Sequence, residues 1–337
     1  MADIIKTKFN DFIKTKKHKG NFISDQSKKI YNSQFNSLLK SFKIEKTNFV
    51  NNPENVLKVL KNEFSNINTL KLKINIVLMV LECFYSENKN YDKYKDIYNN
   101  YLTNILTVIK DQAQSHIPTQ KQIDKAINKE ENDLIIKTLK MKIQHSIKSN
   151  EDLEALKQYI VYMILENHAM RADIATSKFI LSNDINQMID NTNYIVVDKE
   201  NQEIYYYQVN YKTKNTYGNN KFLISKDLYK YIIKLYNYYN NKLKIIDKYF
   251  LYQKDNITPF NTNNFSKFYS NIGMEVLHKN ISIQLNRIQN ASEDSEHIDI
   301  LEEKAKNQNH SMNIHTTTYY KKGLKSKTKS QAEYEIV

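Results

Sequence analysis

Apolar residues recur at helical spacing through the first third of the chain. Residues 25–41 place Ile30, Phe35, Leu38 and Leu39 near a 3.6-residue period, behind an acidic residue and a serine. Residues 52–64 predict a helix with Asn52 as N-cap and Pro53 in its first turn. Residues 69–84 and 91–109 predict two more. The second carries a stripe of Tyr91, Tyr94, Tyr98 and Tyr101, which reads as helix packing more than ligand contact. Ser115-His116-Ile117-Pro118-Thr119 contains one of only three prolines and marks a boundary; helices over 119–149 and 151–167 follow it. At 193–225 the character changes. Runs of Val, Ile and Tyr, broken by polar stretches at 198–202 and 215–220, predict three antiparallel strands. Helices over 225–247, 262–279 and 281–292 complete the pattern. The fold class expected is mainly α with a small antiparallel β-sheet, in two domains: a helical one over 1–115, and a second over 119–337 that ends in a tail.

Composition sharpens this picture. With 337 residues, 40% of them hydrophobic, the chain suits two domains with buried cores. Only 4 glycines and 3 prolines leave few tight turns, in keeping with long helices. Heavy use of Lys, Asn, Ile and Tyr fits coding from an AT-rich genome. The net charge is +13, and a surplus of that size suits a polyanionic partner; lysine inflation from codon bias is the plainer explanation. The surplus is uneven. Residues 1–50 hold eleven lysines against four acids, whereas 291–303 hold six acids and no lysine or arginine. The single cysteine, Cys83, excludes a disulfide framework or a cysteine zinc site and sits in an apolar helical run. The N-terminal stretch lacks the apolar core of a secretory signal, and no run approaches the eighteen apolar residues or so of a membrane span. The expectation is an intracellular protein, not bound to membrane.

The residues with chemistry to offer are few. Among 50 basic residues only two are arginines, Arg171 and Arg287. A guanidinium grips phosphate oxygens through two parallel hydrogen bonds, which a lysine cannot do. Downstream lie His310, with Ser311, and nine residues further on Tyr319. Lys212 and Lys214 fall where the second strand turns into the third. Each residue has a bland alternative: a solvated hairpin lysine at 212, an arginine at 287 capping a carbonyl, a loop histidine at 310, and at 319 one tyrosine among 25, with Tyr320 beside it. His297, His310 and His315 do not have the spacing of a zinc cluster, so neither a metal nor a cofactor is expected.

Arginine, lysine, arginine, histidine and tyrosine in that order resemble the tyrosine recombinases, or phage-type integrases. The resemblance covers roughly residues 20–325. It implies catalytic roles for Arg171, Lys212, Gln284, Arg287, His310 and Tyr319. Departures accompany it: Gln284 stands where the family usually has histidine, Asn309 where a glycine precedes the histidine, and Asp173 follows Arg171 by two positions where an acid usually follows by three.

The resemblance further implies that 1–115 is a core-binding domain clasping duplex DNA and that 119–337 is the catalytic domain. The tail at 321–337 then either docks on a neighbouring subunit of a tetramer assembled on DNA from monomers, or adds nonspecific DNA affinity. The function implied is cleavage and rejoining of DNA through a 3′-phosphotyrosine, serving integration of a mobile or viral element. The protein would work with DNA in a prokaryotic cytoplasm, a nucleus or a viral factory. A type IB topoisomerase and a degenerate, non-catalytic DNA-binding protein are the competing readings.

Overall fold

The structure, a computed structural model, describes residues 2–18, 20–42, 47–168, 170–189, 191–211, 214, 218–245, 248–292 and 314. The chain divides into two compact units, Met1–Ser115 and His116–Val337. Among the described residues no helix is long and apolar enough to cross a membrane.

The first unit is a helical bundle: α1 (Ala2–Thr15), α2 (Asp25–Ser41), α3 (Pro53–Glu63), α4 (Ile67–Tyr85) and α5 (Tyr91–Gln114). A two-residue hairpin, β1 (Lys17–His18) with β2 (Asn21–Phe22), turns at Gly20, whose φ of +83° suits a residue without a Cβ. Side-chain oxygens of Ser24, Asn52 and Asn66 accept the orphan N–H groups that open α2, α3 and α4. Phe9 of α1 stacks on Phe35 of α2 with ring centroids 4.2 Å apart, and Ile74, Val77 and Leu81 of α4 complete the core. Within the tyrosine stripe only Tyr98 is fully buried, and its hydroxyl donates to the Val50 carbonyl at 2.8 Å.

The second unit opens with α6 (Gln120–Lys125), α7 (Lys129–Lys142) and α8 (Asn150–His168). The single helix expected over 119–149 is therefore broken. Asn128 starts α7 with a capping box to Glu131, and Ile127 leaves the helix to bury its side chain in the core. Helix α8 is buried on nearly every face between Leu153 and Leu165, with Lys157 and Gln158 buried among its apolar residues.

A 3-10 turn (Ala172–Thr176) then leads into a four-stranded sheet of β3 (Lys178–Leu181), β4 (Tyr194–Asp198), β5 (Glu203–Gln208) and β6 (Asn220–Ile224), in that order. The three antiparallel strands expected are present as β4, β5 and β6. The sheet as a whole is mixed, because β3 pairs parallel to β4, with Phe179 opposite Ile195. Strand β4 is buried along Tyr194–Val197, whereas β5 buries alternate residues.

Helices α9 (Tyr229–Asn241), α10 (Thr262–Leu277) and α11 (Ile283–Ser292) follow. Helix α9 stops short of the expected 247; Lys244, beyond its end, has a positive φ. Its Tyr236 and Tyr239 pack edge-on against Phe179 of β3.

Candidate phosphate site

Helix α8 ends at His168, and Arg171 lies just beyond, as the N-cap residue of the 3-10 turn. Arg287 sits within α11 and is only 5% exposed. Although far apart in sequence, both guanidinium groups act on one carboxylate, Asp173 in that turn. Burial pushes the Asp173 pKa up from its ordinary value, more than the opposing pull of Arg171, and after it Arg287, brings it down. From the sheet, the Tyr206 hydroxyl of β5 is buried near the same carboxylate. Burial first, then the Asp173 charge, raises its pKa.

The charges of two guanidinium groups bear on one partly buried carboxylate. Arg171 Nη1 is buried and has no hydrogen-bond partner among the described residues, and neither has Asp173 Oδ2. Buried polar atoms are almost always satisfied. An orphaned guanidinium donor is what an anion with several acceptor oxygens would complete.

The other residues singled out in the sequence fall as follows. Gln284 lies in the first turn of α11, one turn before Arg287, and is exposed while Arg287 is buried. Lys212, His310 and Tyr319, with Tyr320, lie outside the described residues. Lys214, in the connection between β5 and β6, donates its N–H to the Tyr211 carbonyl at 3.2 Å and accepts from Gly218 N–H at 2.7 Å.

Sequence reasoning did not anticipate the parts of Tyr206, Asn286 and Gln289. The last two flank Arg287 and are buried amides. Their one signal was polar side chains set among Ile283, Leu285 and Ile288 of a short helix.

No family model matches the chain, and no curated protein matches it. Among solved structures it is similar to one described as the crystal structure of XerA recombinase, with 12% sequence identity, 96% of each chain covered and a TM-score of 0.38. The chain's own residues carry the functional reading.

Proposed function

We propose that the protein is a DNA strand transferase of the tyrosine recombinase type. It would cleave and rejoin DNA through a 3′-phosphotyrosine, in the service of a mobile or viral element. One observation carries this reading: the charges of the only two arginines bear on one partly buried carboxylate, and a buried guanidinium nitrogen there has no partner among the described residues. A scissile phosphodiester has one negative charge and two non-bridging oxygens, which match guanidinium cations with forked donor sets.

In this reading Arg171 and Arg287 hold the phosphate and neutralise charge gathering on its oxygens. The Tyr319 phenol, a weak nucleophile near its ordinary pKa of about 10, attacks phosphorus once that charge is neutralised. The bond from phosphorus to the 5′-oxygen breaks as the phosphotyrosyl bond forms. Lys212 supplies a proton to the leaving 5′-oxygen, replacing the one the phenol releases. His310 donates to a non-bridging oxygen. Gln284, a neutral and exposed amide, can donate a hydrogen bond but cannot relay a proton, so the charge work falls to the arginines. The ester keeps the bond energy, and attack by a DNA hydroxyl reverses the step. Residues 1–115, with the lysine surplus at their start, act as the DNA clamp, and 119–337 as the catalytic domain.

The test uses the full chain and a pool of nicked duplexes of randomised sequence, from which the cleaved end diffuses away. A detergent-resistant protein–DNA adduct is expected, lost in Tyr319→Phe and kept in Tyr320→Phe. Binding of the pool with no adduct would replace the proposal with a non-catalytic DNA-binding protein. Relaxation of supercoiled plasmid by the monomer would replace it with a type IB topoisomerase.

A further inference from the structure

Helix α11 is short, yet four of its polar side chains are buried: Asn286 (3% exposed), Arg287 (5%), Gln289 (1%) and Ser292 (2%). A buried amide left unbonded costs about 1–3 kcal/mol, so such a run persists only where each member has work to do. Ser292 bonds within the helix, to the Ile288 carbonyl at 2.8 Å. The two amides reach outward. Gln289 grips the backbone of Ile127 at both ends: its Nε2 donates to the carbonyl at 3.0 Å, and its Oε1 accepts from the N–H at 3.4 Å. That bond pair fastens α11 to the break between α6 and α7. Lys279, just ahead of α11, reinforces it by donating to the Ala126 carbonyl at 2.8 Å and to Glu131 at 2.6 Å.

Asn286 points elsewhere. Its Nδ2 donates to the Leu165 carbonyl at 2.7 Å. Leu165 lies in the last turn of α8, where helical carbonyls run short of N–H donors. The orientation of this amide is fixed from behind, because Asn290 Nδ2 donates to Asn286 Oδ1 at 3.3 Å and to its backbone carbonyl at 3.1 Å. One amide therefore ties the residue next to Arg287 to the end of the helix that delivers Arg171.

We infer that Asn286 is a positioning residue. Its bond to Leu165 sets where Arg287 lies relative to Arg171, whereas Gln289 holds α11 in place without setting that relation. This inference rests on the phosphate reading of the arginine pair.

The composition supplies the assay. With two arginines in the chain, selective 15N-arginine labelling yields two side-chain Nε–Hε resonances, assigned by Arg171→Lys and Arg287→Lys. The full-length chain is titrated with orthophosphate, and ligand-free spectra and Tm are recorded for Asn286→Ala, Asn286→Ser and Gln289→Ala. The serine variant keeps a polar group too short to reach Leu165 and serves if the alanine variant does not fold. Expected in the Asn286 variants are a displaced Arg287 resonance without ligand and a phosphate midpoint weakened about tenfold, the lower range for a hydrogen bond to a charged group. Gln289→Ala should lower Tm and leave both readouts near wild type. An unchanged Arg287 resonance and midpoint in the Asn286 variants, or equal changes in Gln289→Ala, would overturn the inference. If phosphate moves neither resonance of the unsubstituted chain, the phosphate reading itself fails, and the ligand-free spectra still decide what Asn286 does to Arg287.

Discussion

Gly273 provides a prediction whose sign separates local propensity from tertiary structure. It lies inside α10. An alanine in a helix interior is more favourable than glycine by about 1 kcal/mol, so propensity alone predicts that Gly273→Ala stabilises. The structure predicts the reverse. A Cβ at this position would sit 2.6 Å from the Lys279 carbonyl oxygen and 2.7 and 2.8 Å from the two γ-carbons of Ile281, all inside the range real Cβ atoms avoid. The nearest atom belongs to the backbone and cannot rotate away. Nor is that backbone free to drift: Lys279 N–H donates to the Gly273 carbonyl at 3.3 Å, its side chain is fixed to Ala126 and Glu131, and Ile281 is 1% exposed. Overpacking of this kind costs roughly 1–3 kcal/mol, and a clash with immobile backbone belongs at the upper end. After the propensity gain, a net loss of about 2 kcal/mol is expected. For a unit of this size that corresponds to a fall in Tm of roughly 4–8 °C. Differential scanning calorimetry of the full chain, following the transition of the second unit, checks it. A Tm that rises in Gly273→Ala would refute the close approach of α10 to the segment leading into α11.

Two further outcomes concern partly or fully buried charges. The Asp173 pKa is raised in the folded protein, so its contribution to stability is greatest at low pH and declines as pH climbs from the ordinary carboxylate range through the raised value. Asp173→Asn should remove that decline, seen as a flatter dependence of the urea midpoint on pH between 4 and 7; parallel pH profiles for the two proteins would show that Asp173 is not desolvated. Lys157 is fully buried, ion-paired with Glu154 and bonded to the Tyr252 carbonyl at 2.9 Å. Lys157→Met leaves Glu154 without its partner and should cost about 3 kcal/mol in urea unfolding, with part recovered by Glu154→Gln in the same chain; a variant as stable as wild type would contradict the pairing.

Much of the architecture was legible because it is local. Asn52 ahead of Pro53, and the 3.6-residue period through Phe35, Leu38 and Leu39, are short-range signals, and α2 and α3 lie where they point. The Val, Ile and Tyr runs likewise marked β4, β5 and β6. What escaped depends on distant partners. Strand β3 is four residues long and becomes a strand by pairing parallel to β4 across a connection with no hairpin signature. Helix α1 hides its buried Phe9 and Ile13 among lysines. The break at Ile127 follows from a core that takes its side chain and from Gln289, which takes its backbone. In the candidate site, scarcity singled out Arg171 and Arg287, and the fold brings the charge of both to bear on Asp173. No spacing rule could have indicated that Tyr206 of a strand is buried near that carboxylate, or that Asn286 reaches Leu165.

The fastening of α11 also bears on how the chain is made. Arg171, Asp173, Leu165 and Ile127 all leave the ribosome well before Asn286, Arg287 and Gln289. The first unit has its own core from contiguous residues and can close early, as leading domains do during synthesis. The second cannot finish until 283–292 dock, because those residues bring the second cation to Asp173 and the amides to Leu165 and Ile127. A nascent chain paused short of that helix would hold only one of the two arginines that bear on Asp173, so under the proposed function translation itself sets the moment at which the pair is complete.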